Sequence, residues 1–258
     1  LESPLPVVTN WAFSKYSCDS LGRLITSWHE CQPENTTIAD DLRNMYNVTD
    51  RAACFRFIRE RFPSLLPVVR FFYGKQGRIW LGGRTVPIWR HADGTSSLRG
   101  SDDPTPSRGG VDSRADVLRS CCGGMQGDVL ATCMTVGAYH ESLCEFQRLH
   151  PSLNITAIAD DTYLNGHPST IYSAFATKQR LAFQSCKLES NLLKVYAFAP
   201  DGDLSLKPSE IKAAEHGFKA AGVIVHRDSP EACKWASDTL SALLHRRLAN
   251  TDLDGRVG

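Results

Sequence analysis

The stretch that decides the fold is Ile155-Thr-Ala-Ile-Ala159-Asp160-Asp161-Thr162-Tyr-Leu164. Ile155–Ala159 and Thr162–Leu164 are short apolar and β-branched runs, the pattern of two strands. Only Asp160-Asp161 separates them, so the acidic pair occupies a hairpin tip. An isolated Asp-Asp pair at a turn is ordinary, because Asp accepts hydrogen bonds from local backbone. A second strand ending in acid gives the pair a possible chemistry: Thr36–Ala39 is β-branched and apolar, and it runs straight into Asp40 and Asp41.

Working outward, the spacing predicts a helix over 50–62 closed by Pro63, then a second buried segment, of helix or strand type, with Val68, Val69, Phe71, Phe72 and Tyr73. Ile79–Trp89 reads as a hairpin with Gly82-Gly83 at its turn. Residues 91–116 hold Gly, Ser, Asp and Pro with almost no large apolar side chain, the composition of a flexible insertion. Val129–Leu149 carries apolar residues at helical spacing, with Asp128 as its N-cap and Pro151 beyond its end, and should pack beneath a sheet. Further helices are expected near 169–186, 209–220 and 230–249, with strands near 195–198 and 223–225. Weak helical patterning also covers 21–28. The whole suits an α+β domain, with helices on one face of a mostly antiparallel sheet.

The chain of 258 residues has 29 Lys and Arg against 28 Asp and Glu, so composition alone does not announce a nucleic-acid binder. Any basic surface must be local, as in the run from Arg51 to Arg90, which equally reads as solvated helix and loop. Nine cysteines at irregular spacing argue for reduced thiols rather than a stapled scaffold. The sequons at Asn35, Asn47 and Asn154 read as coincidental. No apolar run approaches the ~20 residues needed to cross a bilayer. No membrane partner is expected, and the chain reads as intracellular.

Three segments in order resemble those of reverse transcriptases, of the type found in retrotransposons without long terminal repeats and organellar introns. Asp41-Leu-Arg-Asn-Met-Tyr46 is similar to a first motif, a strand-end Asp followed five positions later by an aromatic residue. Gly123-Gly-Met-Gln126-Gly127 resembles a second, and Ala159-Asp160-Asp161 a third. Leu188-Glu-Ser-Asn191-Leu-Leu-Lys194 is a looser match to a fourth, and Gly222-Val-Ile-Val225 to the turn that grips the primer end.

The resemblance implies a polymerase palm with partial fingers and little or no thumb. Residues 1–35 would be the N-terminal segment and partial fingers, 36–226 the palm with its insertion, and 227–258 a C-terminal helix. It further implies an RNA-directed DNA polymerase in which Asp41, Asp160 and Asp161 hold Mg²⁺ or Mn²⁺. Two such ions about 4 Å apart stabilise both the attacking and the leaving oxygens of an in-line displacement. Tyr46 would exclude the ribose 2′-hydroxyl, Gln126 and Gly127 would shape the nucleotide site, and Lys194 would lie near the triphosphate. The implied partners are an RNA template, a DNA primer, deoxynucleoside triphosphates, and other polypeptide segments supplying fingers and thumb. The rival expectation is a catalytically inactive descendant kept as a nucleic-acid-binding or structural module.

Overall fold

A computed structural model describes residues 8–254, except 14, 76, 80–87, 91–95, 99–117, 121 and 125–127. Along the chain come β1 (Thr9–Asn10), α1 (Ser17–Cys31), β2 (Thr36–Asp41), α2 (Met45–Val48), α3 (Arg51–Arg61) and α4 (Leu66–Tyr73). Four short strands follow: β3 (Gly77–Ile79), β4 (Ile88–Arg90), β5 (Ser96–Leu98) and β6 (Leu118–Ser120). Next are α5 (Val129–Leu149), β7 (Asn154–Ile158), β8 (Asp161–Gly166) and α6 (Pro168–Cys186). The chain continues through β9 (Tyr196–Phe198), β10 (Lys212–Ala213), β11 (Gly217–Ala220), β12 (Val223–His226) and α7 (Pro230–Asp254).

The α+β architecture centres on a six-stranded sheet in the order β1-β7-β8-β2-β9-β10. Its middle is antiparallel. β7 and β8 are joined by a two-residue turn at Ala159-Asp160, one position before the expected Asp160-Asp161 tip: Ile158 pairs with Asp161, which is the first residue of β8, and Ala159 takes the left-handed turn conformation. β2 runs against β8 from Thr36 opposite Gly166 to Asp41 opposite Asp161, and β9 lies on the other side of β2. The two short outer strands make this mostly antiparallel sheet mixed: β1 joins β7 and β10 joins β9 in parallel. Neither is reached through a tight hairpin, the connection that would force antiparallel pairing.

Strand alternation gives the sheet two different faces. Ile38, Ile155, Ala157, Leu164 and Ala197 pack into one core with Met134, Tyr139, Leu143 and Phe146 of α5 and Ile171, Ala174 and Phe175 of α6. Helices are not confined to that face. Leu21 and Ile25 of α1 cover Tyr163 and Phe198 on the opposite side, together with Phe218, Ala220 and Val225 of the β11–β12 hairpin. Two-residue burial stripes on α1 and β-alternation in the hairpin produce a second, smaller core there.

Local signals place several ends. Asp50 caps α3 by accepting from the Ala52 amide at 3.0 Å, and Asp128 caps α5 from Leu130 at 2.8 Å. The β11–β12 turn is Ala221-Gly222, with φ of 48° and 89°, the left-handed pair that a two-residue hairpin requires.

Three expectations are corrected. The helix expected over 209–220 is instead β10 and β11. Ile211, Ala214 and Phe218 mimic helical spacing, but Ile211 enters the core on the α5–α6 side while Ala214 and Phe218 enter the other. The segment after Pro67 is a helix, α4, of which Val69 and Tyr73 are buried while Phe71 and Phe72 are exposed. Of the hairpin expected over 79–89, the described ends pair elsewhere, β3 with β6 and β4 with β5, while residues 80–87 lie outside the described residues. A partner some forty residues away competes with the local one, and β3–β6 pairing brings the chain back to where it left. Of the predicted insertion 91–116, Ser96–Leu98 is strand, and the remainder, like Gly82-Gly83, lies outside the described residues.

The thiols of Cys18, Cys31, Cys54, Cys133, Cys144, Cys186 and Cys233 are free. Among the described residues no helix is long and apolar enough to cross a membrane.

Candidate active site

β2 ends and β8 begins at the same level, so Asp41 and Asp161 are cross-strand neighbours. Alternation puts both on the face shared with Ala39 and Tyr163 and sends Asp40 to the other. Asp160 stands at the adjoining turn. Burial, followed by the charges of Asp160 and Asp41, pushes the Asp161 carboxyl up to about 7, against the opposing pull of Lys194. Asp160 is also raised, by burial first and then by Asp41. The three aspartates named from the sequence are therefore gathered at one end of the sheet, where some of their charge is suppressed without a counter-ion.

The fourth segment closes one side. The Asn191 amide donates to the Asp41 carbonyl at 2.7 Å, and its side chain to the Asp41 carboxylate at 3.4 Å. Lys194 Nζ approaches Asp41 Oδ1 at 3.3 Å, but its side chain is 60% exposed, so water screens the pair. Asn191 is thus a partner of Asp41 that sequence reading quoted without a role; its side-chain amide is too common a surface group to have signalled one.

Tyr46 sits in the first turn beyond Asp41, half-buried. Its phenol is raised by burial and then by Asp160, while a hydrogen bond with Thr132 lowers it. The Gly123-Gly124 backbone docks on this turn: the Gly124 amide donates to the Tyr46 carbonyl at 2.6 Å, and the Gly123 amide to Thr49 at 2.8 Å. Gly123 has φ +56°, and a Cβ there would stand 2.2 Å from the Tyr46 oxygen. Gly123→Ala is therefore expected to destabilise the protein by about 3 kcal/mol and to displace Tyr46, as measured by urea unfolding and Tyr46 side-chain NMR. A loss under about 0.5 kcal/mol would mean that this contact does not fix the turn. Gln126 and Gly127 lie outside the described residues.

Two cavities meet at Asp41 and Lys194. One, about 240 Å³, is lined by Asp41, Arg43, Tyr46, Asn47, Asp160 and Lys194. The other, about 660 Å³, extends from Asp41 and Asp161 over Tyr163, Tyr196, Phe218 and Trp235. A small polar recess thus adjoins a larger one that includes four aromatic side chains, with the carboxylates between them.

Among the described residues no three His, Cys, Asp or Glu side chains gather as a ready-made metal cage. Asp41 and Asp161 fit a divalent cation as a carboxylate pair, because Mg²⁺ is commonly held by one or two carboxylates with waters and substrate phosphates completing the shell.

Beneath this surface, on the helix side, Asp40 is fully buried and ion-paired with Lys178 of α6, itself 1% exposed. Lys178 Nζ lies 5.3 Å from the centroid of the Tyr139 ring, and the Tyr139 hydroxyl bonds Thr162 Oγ1 at 2.7 Å. Thr162 is in turn the cross-strand neighbour of Asp40.

No protein-family model and no curated protein matches the chain. Among solved structures it is similar to apo telomerase from Candida tropicalis, at 10% identity and TM-score 0.46, over 85% of this chain and 35% of that one. A telomerase from Candida albicans in complex with a fragment of telomeric RNA matches at 12% identity and TM-score 0.41, over 74% and 30%. The corresponding RNA complex from Candida tropicalis gives 11% and 0.40, over 69% and 29%. The chain spans about a third of the length of these proteins. At such TM-scores the likeness adds no weight to the reading of the site.

Proposed function

We propose that the chain is the palm of an RNA-directed DNA polymerase of retroelement type. The observation that carries this reading is the register of β2 on β8, which sets Asp41 opposite Asp161 with Asp160 at the adjoining turn. Asp41 and Asp161, assisted by Asp160, would hold Mg²⁺ or Mn²⁺, and these ions supply charge stabilisation for the oxygens at the transferring phosphorus. Tyr46 faces the small recess as the filter of the sugar, and Lys194 at its rim is placed to meet an anionic triphosphate. Gln126 and Gly127 would complete the nucleotide side. The larger recess, lined by Tyr163, Tyr196 and Trp235, offers aromatic surface to the primer end. The partners of this reading are RNA template, DNA primer, deoxynucleoside triphosphates, and further polypeptide supplying fingers and thumb.

The second reading is an inactive descendant serving as a nucleic-acid-binding or structural module. The absence of a preformed three-ligand cage among the described residues favours it. Primer extension on an RNA template, with Mg²⁺ and labelled deoxynucleotides, separates the two. Extension by the parent chain, lost at least ~100-fold in Asp160→Asn, is the expected result, the scale of removing one group that stabilises transition-state charge. No extension from either protein supplied with fingers and thumb favours the module, and equal extension by both would mean that the activity does not come from this site.

A further inference from the structure

Asp40 and Asp41 are adjacent in sequence but lie on opposite faces of β2, and the two faces differ in kind. Asp41 looks onto the open site, whereas Asp40 and Lys178 are enclosed between the sheet and the helices. The buried set forms a closed path. It runs from Asp40 to Lys178 on α6, to Tyr139 on α5, to Thr162 on β8, and back across the strand ladder to Asp40. Each end of the path lies one residue from a carboxylate of the site, Asp40 beside Asp41 and Thr162 beside Asp161. Two helices are thereby tied to the two strand ends that bear those carboxylates.

Stability alone is a poor reason for such a pair. Taking both ions out of water is costly, and apolar residues of similar volume often serve as well or better. One Asp40 oxygen even lacks a partner. The strand ends above it, however, carry carboxylates that repel one another, and that repulsion acts to spread β2 from β8 or rotate their terminal residues outward. A directional ionic anchor resists this motion where apolar contacts, which tolerate sliding, do not.

Resting on the polymerase reading of the site, we infer that Asp40 and Lys178 are positioning residues that hold Asp41 and Asp161 face to face. Neither touches substrate; they act through the strands.

The test compares the parent chain with the double variant Asp40→Leu/Lys178→Met, which removes both charges while keeping the branched shape of Asp40 and nearly the length of Lys178. Amide hydrogen exchange reads the geometry directly. The expected result is exchange at least tenfold faster at residues 40–42 and 160–162, with the opposite end of the same ladder, Thr36–Thr37 against Asn165–Gly166, unchanged. Mn²⁺ affinity, read from the free-ion EPR signal, should weaken about tenfold, with Asp161→Asn as the control that defines site-bound metal. Uniform exchange changes along β2, or parent-like exchange and Mn²⁺ affinity, would overturn the inference. Should the parent bind no Mn²⁺ that Asp161→Asn removes, the polymerase reading fails instead, and the exchange pattern still decides whether the pair positions the strand ends. If the double variant does not fold, Asp40→Asn, which keeps shape and removes one charge, carries the same comparison.

Discussion

Lys178→Met as a single substitution is expected to lower stability by about 3–5 kcal/mol, the cost of stripping a buried ion of its partner. Asp40 would keep its carboxylate in a space with no water access and lose the cation, while its other oxygen already lacks a partner. The thioether of Met fills the lysine's volume, so the cavity contribution is small. The double variant Asp40→Leu/Lys178→Met should recover most of the loss, because neither charge then needs solvation. Urea unfolding of the three proteins at pH 7 measures this, and a single substitution costing under about 1 kcal/mol would show that Asp40 finds other solvation. Burial alone would pull the Lys178 ammonium down, but Asp40 and then Tyr139 raise it, and the net shift is upward. A raised folded-state pKa on a lysine means that its contribution is whole below the unfolded value and fades as pH climbs through the folded one. The effect is therefore fully present at neutral pH and declines only in strong alkali.

Where a signal was local, the sequence was read correctly. Asp128 caps the helix expected to follow it, the helix expected over 50–62 runs from Arg51 with Asp50 as its cap, and Pro63 and Pro151 lie just beyond the ends of α3 and α5. The Asp160 hairpin was visible because two β-rich runs left no room for any longer connection. Failures came where a partner far along the chain decided the outcome. Ile79, expected at the start of a hairpin turning at Gly82-Gly83, pairs instead with Leu118. Ile211, Ala214 and Phe218 have helical spacing yet serve two different cores, something periodicity cannot distinguish.

The site was legible in its acids and less so in their supports. Asp41, Asp160 and Asp161 could be named because strand ends and turns are marked locally, but their register could not. Lys178 was missed although a signal existed: it falls on the buried stripe of α6 with Ile171, Ala174, Phe175 and Ala182, where a lysine has to be paired. Asp40 carries no local signal that sets it apart from Asp41; strand alternation alone sends the two side chains to opposite faces.

Asp161→Asn is expected to make the protein inactive and, without metal, more stable. The carboxyl of Asp161 is held up to about 7 by burial and then by Asp160 and Asp41, against an unfolded value of about 3.9. An acid whose pKa rises on folding binds more protons in the native state, so stability falls as pH increases between those two values and levels off above the higher one. The parent chain should therefore lose stability from about pH 4 to pH 7, by at most about 4 kcal/mol if the whole shift were realised, and by less because water reaches the open face. Asparagine has no charge to suppress, so the variant should gain on the parent by on the order of 1–3 kcal/mol at pH 8, and the gain should vanish near pH 4. Divalent cation reverses the comparison in the parent alone. Metal that binds the native site and not the unfolded chain stabilises by mass action, about 1.4 kcal/mol at tenfold the dissociation constant. Melting curves at pH 8, with and without millimolar Mg²⁺, should show the parent rising and Asp161→Asn scarcely moving, alongside a ~100-fold or greater loss of primer extension in the variant. A variant less stable than the parent at pH 8 without metal would mean that Asp161 contributes to the fold as an ion, and that its burial beside Asp41 is not a cost borne for the site. Equal metal responses would remove the basis for a functional cation at this end of the sheet and leave the non-catalytic module as the better account.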